Sequence, residues 1–302
     1  MLAPLPAPGG FYVDRDGHPA RVAQDELSLR PNLDLFHKGA EFTARIRTNG
    51  LGNRIIDNES RQVDFLWLGD SFSFGHGVSD EQTFPFIVCT RNHFVCANLG
   101  HSGAETFQEV NIFSRAITKE KYQTKNVVVV MLTACWLDQA GNDLGDNLKY
   151  YRDHVVTSRQ PDEDISRGGL LKRLQGAIGK YEIVKRSMLI FSAWIKRGTY
   201  QCSASDQIGQ ALDATKNALE KLERLARESA FNVTVVEIHP YQELDGAFRK
   251  TEALVSGIIP KSLKYIPTGQ FFTVNDYYHY DGHFNALGHA RLATVIEQQL
   301  KR

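Results

Sequence analysis

The sequence contains little cysteine, and the cysteines it has follow no metal-binding pattern. The four are Cys89, Cys96, Cys135 and Cys202, and no two of them form a C-x-x-C pair. Zinc sites usually bring cysteines together in such short pairs. Four cysteines in 302 residues are also too few for the disulfide framework of a small secreted domain. We therefore predict that these side chains are mostly buried thiols.

Excess charge of either sign and long apolar runs are missing as well. The 35 Lys and Arg residues balance the 35 Asp and Glu residues, so no charge pattern favours nucleic acid as a partner. No apolar run approaches the roughly 18 residues of a membrane span. The first residues, "MLAPLPAPGG", lack the basic and apolar regions of a signal peptide. We expect a globular protein with no membrane span, cytoplasmic by default, or periplasmic or secreted if the sequence lacks its leader.

What the chain does contain is a regular alternation of short apolar runs and amphipathic stretches. The runs are rich in β-branched or aromatic residues and apolar on both faces, as buried parallel strands are. The candidate strands are residues 63–68, 94–99, 126–133 and 232–238, and the helical patterns cover residues 83–92, 104–119, 205–229 and 286–300. Asn285 is the candidate N-cap of the last helix. This alternation predicts an α/β fold with a doubly wound parallel sheet.

Two segments depart from the alternation. Residues 1–60 show no sustained periodicity, and we expect an N-terminal extension packed on a main domain that covers residues 61–302. Residues 146–201 have the pattern of a helical insertion with many Lys and Arg side chains. A helical subdomain packed on the sheet, a substrate lid, and a basic surface for acidic glycan or membrane all remain open for it.

Ser71 follows the first candidate strand in "FLWLGDSFSFGHG". Ligands of open α/β sheets bind beyond the carboxyl ends of the strands, which is where this serine is expected. A serine hydroxyl becomes a nucleophile only with a base in hydrogen-bond reach, an acid that orients the base, and donors for the developing oxyanion. Gly-Asp-Ser is also a common turn or helix-cap sequence. The catalytic hypothesis therefore depends on whether the chain supplies the other groups.

A candidate base and acid occur near the other end of the chain, in "YDGHFNALGH". Asp281 and His283 are two residues apart, and in an extended segment both side chains point to the same side. The aspartate could then hold the imidazole in one tautomer while the other ring nitrogen faces Ser71. A capped loop and a metal-binding D-x-H pair are the alternatives, but no third ligand of suitable spacing is evident. We expect no metal and no cofactor.

Candidate oxyanion donors follow the next two strands. Gly100 and Gly103 lie in "NLGHSGAE", where glycine allows backbone to approach a bound acyl group. Asn142 lies in "QAGNDLGDN", after the strand at residues 126–133.

Together the four sequence blocks resemble the SGNH (GDSL-type) hydrolase superfamily, in wording and in chain order. "GDSFSFGHGV" is similar to that family's nucleophile block, "NLGHSG" to its second, "GND" to its third and "DGHFNALGH" to its last. "RTNGLGNR" is similar to a lead-in found in bacterial members associated with polysaccharide modification. The family's usual acid lies three residues before the histidine, where this chain has Tyr280. The D-x-H spacing resembles the branch of the alginate O-acetylation proteins.

The resemblance implies a flavodoxin-like hydrolase fold and a role for each matching residue. Ser71 is the implied nucleophile, His283 the base and Asp281 the acid that orients it. The oxyanion hole would consist of the Ser71 and Gly103 backbone N–H groups and the Asn142 side chain, with Asn98 as a structural partner. In this chain "ACWLDQA" separates the third strand from "GND", an interval longer than the family usually has.

The implied activity is that of a serine esterase, a carboxylic ester hydrolase. Its expected substrate is a small acyl ester, in particular an acetyl group on a carbohydrate. An O-acyltransferase to a glycan would use the same residues, and a non-catalytic glycan-binding module could keep the same scaffold. The sequence does not indicate which glycan is bound or the oligomeric state.

Overall fold

The structure is a computed structural model, and it describes residues 10–25, 28–56, 60–133 and 205–300. The insertion expected at residues 146–201 and the candidate donor Asn142 lie outside the described residues. None of the described helices has the length and apolar character needed to cross a membrane.

A five-stranded parallel sheet forms the centre of the described chain. Its strands are β6 (Phe65–Gly69), β7 (Cys96–Asn98), β8 (Asn126–Leu132), β9 (Asn232–Ile238) and β10 (Lys264–Pro267). Their spatial order is β7-β6-β8-β9-β10. In chain order of the sheet this is 2-1-3-4-5, the arrangement of flavodoxin-like doubly wound folds. The predicted fold class is therefore confirmed.

Helices cover both faces of this sheet. They are α1 (Ser71–Phe74), α2 (Phe84–Asn92), α3 (Thr106–Thr118), α4 (Ser205–Ser229), α5 (Phe248–Ser256) and α6 (Ala286–Leu300). Leu66 and Leu68 of β6 pack in one apolar cluster together with residues of α3 and α4. The alternate residues Phe65 and Trp67 pack in a second cluster with residues of α2 and α6. Because successive strand side chains point to opposite faces, a strand buried on both sides must be apolar at nearly every position.

The four predicted strands and the four predicted helices are all present, with boundaries that shift by a few residues at most. Asn285 caps α6 as predicted, since its side-chain oxygen accepts the N–H groups of Leu287 at 2.9 Å and Gly288 at 3.2 Å. Strand β10 and helix α5 had no counterpart among the sequence predictions.

The N-terminal segment contains strands that the sequence analysis missed. Strands β1 (Phe11–Val13), β4 (Asp34–Lys38) and β5 (Thr43–Arg47) form an antiparallel sheet in the order β1-β4-β5, and β2 (Ala23–Asp25) pairs with β3 (Ser28–Leu29). Burial alternates along β4 and β5, as expected for strands with one covered face. Leu35 and Ile46 from this sheet pack with Phe74 of α1. The N-terminal sheet thus lies against the helix that begins with Ser71.

A buried arginine further joins the two parts. Arg54 is 1% exposed, and its guanidinium donates to Asp80 at 2.5 Å and to the carbonyl oxygens of Phe74 at 2.8 Å and Val78 at 2.8 Å. Buried charge is tolerated only when it is paired and hydrogen-bonded. Arg54 therefore fixes the loop that follows α1.

The prediction of buried thiols is wrong for two of the four cysteines. Cys89, in α2, and Cys96, in β7, form a disulfide across a separation of seven residues. Both are buried. The bond links a helix to the strand that follows it. Its two cysteines are seven residues apart, so no C-x-x-C spacing indicates it in the sequence. Cys135 and Cys202 lie outside the described residues.

Candidate active site

Ser71 lies where strand β6 turns directly into helix α1. The Asp70 carboxylate caps the helix by accepting the N–H of Phe72 at 2.8 Å. Gly69 has φ +145°, and a Cβ atom there would lie 2.1 Å from the Ser73 hydroxyl oxygen. Only glycine fits such a turn. Asp70 is a turn-organising residue, and Ser71 is the first residue of the helix.

The side chain of Ser71 meets that of His283, although the two are 212 positions apart in the chain. Ser71 Oγ lies 2.7 Å from His283 Nε2. His283 Nδ1 lies 2.6 Å from Asp281 Oδ1, which also accepts the backbone N–H of His283 at 3.3 Å. The three predicted side chains are therefore connected in one hydrogen-bonded series.

The segment that carries the acid and the base is a turn rather than the extended segment that was predicted. Gly282, between them, has φ +87°, in the left-handed region that favours glycine. The left-handed residue lets one oxygen of Asp281 reach both the ring and the backbone of the residue two positions later. The short D-x-H spacing thus works because its middle residue is glycine.

Burial and charge act against each other at this pair. The Asp281 side chain is only 4% exposed. Burial alone would raise the pKa of Asp281, but the charge and hydrogen bond of His283, together with the nearby His76 ring, lower it. Burial alone would lower the pKa of His283, but the charge and hydrogen bond of Asp281 outweigh it and raise the pKa above its usual value. The acid is therefore ionised, and it makes the imidazole a stronger base.

A second histidine, His76, contacts both members of this pair. Its ring stacks on His283 with centroids 4.1 Å apart and planes inclined by 20°. Its Nε2 lies 3.3 Å from Asp281 Oδ2, within ion-pair distance but outside hydrogen-bond geometry. Burial, followed by the charge of His283, lowers the pKa of His76. A neutral His76 therefore covers one face of the His283 ring and confines it.

His76 was missed by the sequence analysis, although it lies in the same block as Ser71. It directly follows Gly75, the left-handed C-cap of α1, so the short helix delivers both Ser71 and His76 to the site. The ring of His37, from β4, meets His76 edge-on at 4.4 Å. The N-terminal sheet thus reaches the ring that covers the base.

Glu41, in the turn between β4 and β5, holds the loop that carries Asp281. Its carboxylate accepts three consecutive backbone N–H groups, those of His279 at 2.7 Å, Tyr280 at 2.7 Å and Asp281 at 3.0 Å. Hydrogen bonds to a charged acceptor are stronger than neutral ones. No motif marks Glu41, because it acts through backbone atoms 238 to 240 positions away.

We expect Glu41→Gln to lower kcat/KM for p-nitrophenyl acetate by about tenfold, since the neutral amide weakens the three bonds that place Asp281. Initial-rate measurements on the folded protein test this. Glu228→Gln, on the exposed end of α4, is the matched control and should behave as wild type. A Glu41→Gln variant with wild-type kcat/KM would show that the loop keeps its position without this carboxylate.

The loop after β7, which contains Gly100 and Gly103, is fastened beside α1. Asn98 donates to the Ser73 carbonyl at 2.8 Å and accepts the N–H of Gly100 at 2.9 Å. A Cβ atom at Gly100 would lie 2.4 Å from the Phe74 nitrogen, so the loop and helix approach as closely as glycine permits. Gly103 lies further along the loop with φ +81°. Of the predicted oxyanion donors, the described residues include Ser71 and Gly103.

His76, Asp281 and His283 also present nitrogen and oxygen atoms close enough to share a metal ion. The 2.6 Å separation of His283 Nδ1 and Asp281 Oδ1 is that of a short hydrogen bond. Two ligands of one tetrahedral zinc ion would lie about 3.4 Å apart at bond lengths of about 2.1 Å. The geometry favours a hydrogen-bonded series over the metal-binding alternative for D-x-H.

Comparison with known proteins finds similar folds but no relative in sequence. No family model and no curated protein matches the chain. An acetylxylan esterase from Geobacillus stearothermophilus is similar in structure, with a TM-score of 0.43, 12% identity, and coverage of 82% of this chain and 96% of that one. A GDSL-like lipase from Bacteroides thetaiotaomicron has a TM-score of 0.42, 12% identity, and coverage of 82% and 91%.

A member of the lipolytic G-D-S-L family from Veillonella parvula is similar as well, with a TM-score of 0.43, 14% identity, and coverage of 79% of this chain and 98% of that one.

Proposed function

We propose that this chain is a serine esterase of the SGNH type. One observation carries the proposal: the hydrogen-bonded series from Ser71 Oγ through His283 to Asp281, at 2.7 and 2.6 Å. A hydroxyl, a base and an orienting acid in hydrogen-bond contact are the elements that nucleophilic catalysis by serine needs. The position of Ser71 at the carboxyl end of β6 leaves it where substrates of open α/β sheets bind.

In the proposed reaction, His283 Nε2 takes the proton of Ser71 as the serine oxygen attacks the ester carbonyl. The developing imidazolium is stabilised by the ionised Asp281. His283 then gives its proton to the leaving alcohol, and an acyl group remains on Ser71. Water, deprotonated by His283, releases the acid and restores the serine.

Negative charge develops on the carbonyl oxygen in each step. We assign its stabilisation to the backbone N–H groups of Ser71 and Gly103 and to the side chain of Asn142. The Ser71 N–H belongs to the first turn of α1, where backbone N–H groups have no partner within the helix. A preorganised donor of this kind is worth about 100- to 1000-fold in turnover.

We propose a small acyl group, acetyl in particular, on a carbohydrate as the substrate. Support comes from a cavity of about 330 Å³ on the flank of the loop that carries Asp281 and His283. Tyrosine rings and amide side chains line it, among them Tyr241, Tyr278, Asn275 and Asn285. Aromatic faces with a few polar groups suit a polyhydroxylated ring better than a long acyl chain.

A substrate panel tests the proposed activity. Rates would be measured with p-nitrophenyl acetate, butyrate and octanoate, and then with acetylated xylo- and other oligosaccharides. We expect the acetyl ester to be preferred and acetate to be released without a sugar acceptor. Consumption of the donor only when an acceptor is present would instead assign an O-acyltransferase. Failure of a fluorophosphonate to label Ser71 would contradict both activities.

The pH dependence of the reaction follows from the state of His283. Only the neutral imidazole can accept the Ser71 proton, and Asp281 raises the pKa of His283 above 6.5. We therefore expect kcat/KM for p-nitrophenyl acetate to rise with pH, to be half-maximal above pH 6.5 and to level off in alkaline solution. A profile that is flat from pH 5 to 9, or that falls as pH rises, would contradict the assignment of His283 as the base.

A further inference from the structure

A second group of ionisable side chains lies at the carboxyl end of β9. Glu237 is the penultimate residue of that strand, His239 directly follows the strand, and Glu252 lies on α5. We call these three residues the β9 cluster. Glu237 and His239 are fully buried, and the Glu252 side chain is 21% exposed. In the described part of the chain, no Lys or Arg forms an ion pair with them.

The spacing within the β9 cluster is unsuited to hydrogen bonds. His239 Nε2 lies 3.7 Å from Glu237 Oε1 and 3.5 Å from Glu252 Oε1, beyond the N–H···O range of about 2.7–3.2 Å. This nitrogen is buried and has no hydrogen-bond partner. Two ligands of one tetrahedral zinc ion, at bond lengths of about 2.1 Å, lie about 3.4 Å apart. Both carboxylate oxygens therefore lie at about the ligand-to-ligand distance from His239 Nε2, and the ligand atoms of the three residues all lie within 4.8 Å of one another.

A hydrogen-bonded partner outside the β9 cluster orients the His239 ring. His239 Nδ1 lies 3.1 Å from Glu243 Oε2, which also accepts from the Thr251 hydroxyl at 3.1 Å. Metal-binding histidines commonly donate their second ring N–H to a carboxylate in this way, which fixes the ring and its tautomer. With the proton on Nδ1, the lone pair of Nε2 faces the two carboxylate oxygens. That arrangement is repulsive unless a positive charge lies between them.

The two carboxylates are positioned similarly. Glu237 accepts hydrogen bonds from the hydroxyl groups of Thr133 and Tyr265, and Glu252 Oε1 accepts the backbone N–H of Gly269 at 3.0 Å. The Glu237 side chain is fully buried, and a buried carboxylate is tolerated only when it is paired with positive charge and hydrogen-bonded. A bound cation provides that positive charge.

We propose that the β9 cluster binds one divalent transition-metal cation of the Zn²⁺ class, through His239 Nε2, Glu237 Oε1 and Glu252 Oε1. An imidazole nitrogen among the donors favours such an ion over Ca²⁺ or Mg²⁺, which take oxygen ligands. The ion joins the end of β9 to α5. Tyr277, in the loop that leads to Asp281, donates its hydroxyl to the His239 carbonyl at 2.7 Å. The site is thus a structural support beneath that loop.

Titration with Zn²⁺ tests the proposal. The full chain would be stripped with a chelator, dialysed and titrated by calorimetry, and its melting temperature recorded with and without zinc. We expect one zinc ion per chain and a higher melting temperature with zinc. Glu252→Gln, at a partly exposed position, should weaken binding about 100-fold and remove the thermal shift. Glu228→Gln, on α4, should leave both unchanged.

Two further variants separate this site from other zinc ligands and from loss of folding. His283→Ala should bind zinc as wild type does, because among the described residues His283 groups with His76 and Asp281 and not with the β9 cluster. His239→Gln should lose binding while circular dichroism reports an unchanged fold; if it does not fold, Glu252→Gln alone decides. Absence of a zinc site in the wild type, or equal affinity in Glu252→Gln, would overturn the proposal.

Discussion

Ser71→Ala is expected to lower the turnover of p-nitrophenyl acetate by at least about 1000-fold, because it removes the hydroxyl oxygen on which the acyl intermediate would form. The fold should persist, since the helix cap is made by Asp70 and the turn by Gly69. Steady-state rates and fluorophosphonate labelling, compared with circular dichroism of the same samples, measure the effect. His283 and Asp281 would stay in place, but His283 would have no serine hydroxyl to deprotonate.

Ser229→Ala is the matched control, since Ser229 is an exposed serine at the end of α4. It should be labelled and should turn over substrate as wild type does. Retention of wild-type turnover by Ser71→Ala would remove Ser71 as the nucleophile and with it the proposed esterase mechanism.

Asp281→Asn is the second change with a large expected effect, a fall in kcat of about 1000- to 10,000-fold. The amide can donate to His283 Nδ1, and it then stabilises the tautomer whose Nε2 carries a proton and cannot accept one from Ser71. It also removes the charge that raises the pKa of His283. The residual activity should therefore reach half its maximum at a lower pH than in the wild type.

Initial rates from pH 5 to 9 would show both effects in one experiment. Asp213→Asn, at an exposed position on α4, is the control and should match wild type throughout. An Asp281→Asn variant that retains more than about a tenth of wild-type kcat would mean that His283 is oriented by another group, and His76 would be the next residue to change.

Much of the architecture could be predicted from local sequence pattern. Strand β8 is apolar at every position except Asn126 because both faces are covered, and helices α2 and α6 begin at side chains that accept backbone N–H groups. Such signals lie within a few neighbouring residues. The N-terminal sheet was missed because its strands have only three to five residues, too few for an alternation to stand out.

Some residues of the candidate site could likewise be predicted from local sequence, and others could not. Ser71, His283 and Asp281 were found because the residues around each form a short block, and the structure brings the three together. Glu41 and His76 were not found, because their contacts join distant parts of the chain or depend on ring stacking. The disulfide between Cys89 and Cys96 likewise reflects a helix and strand that meet only after folding.

The hydrogen bonds from the backbone of residues 279–281 to Glu41 bear on the design of truncated variants. A fragment that starts near residue 61 would contain the complete parallel sheet and the hydrogen-bonded series of Ser71, His283 and Asp281. It would nevertheless lack Glu41, which holds the loop that carries Asp281, and Arg54, whose guanidinium fixes the turn after α1. Such a fragment would keep the motifs of the proposed hydrolase but lose the side chains that hold its loops, so Glu41 and Arg54 belong in any truncation intended to retain the site.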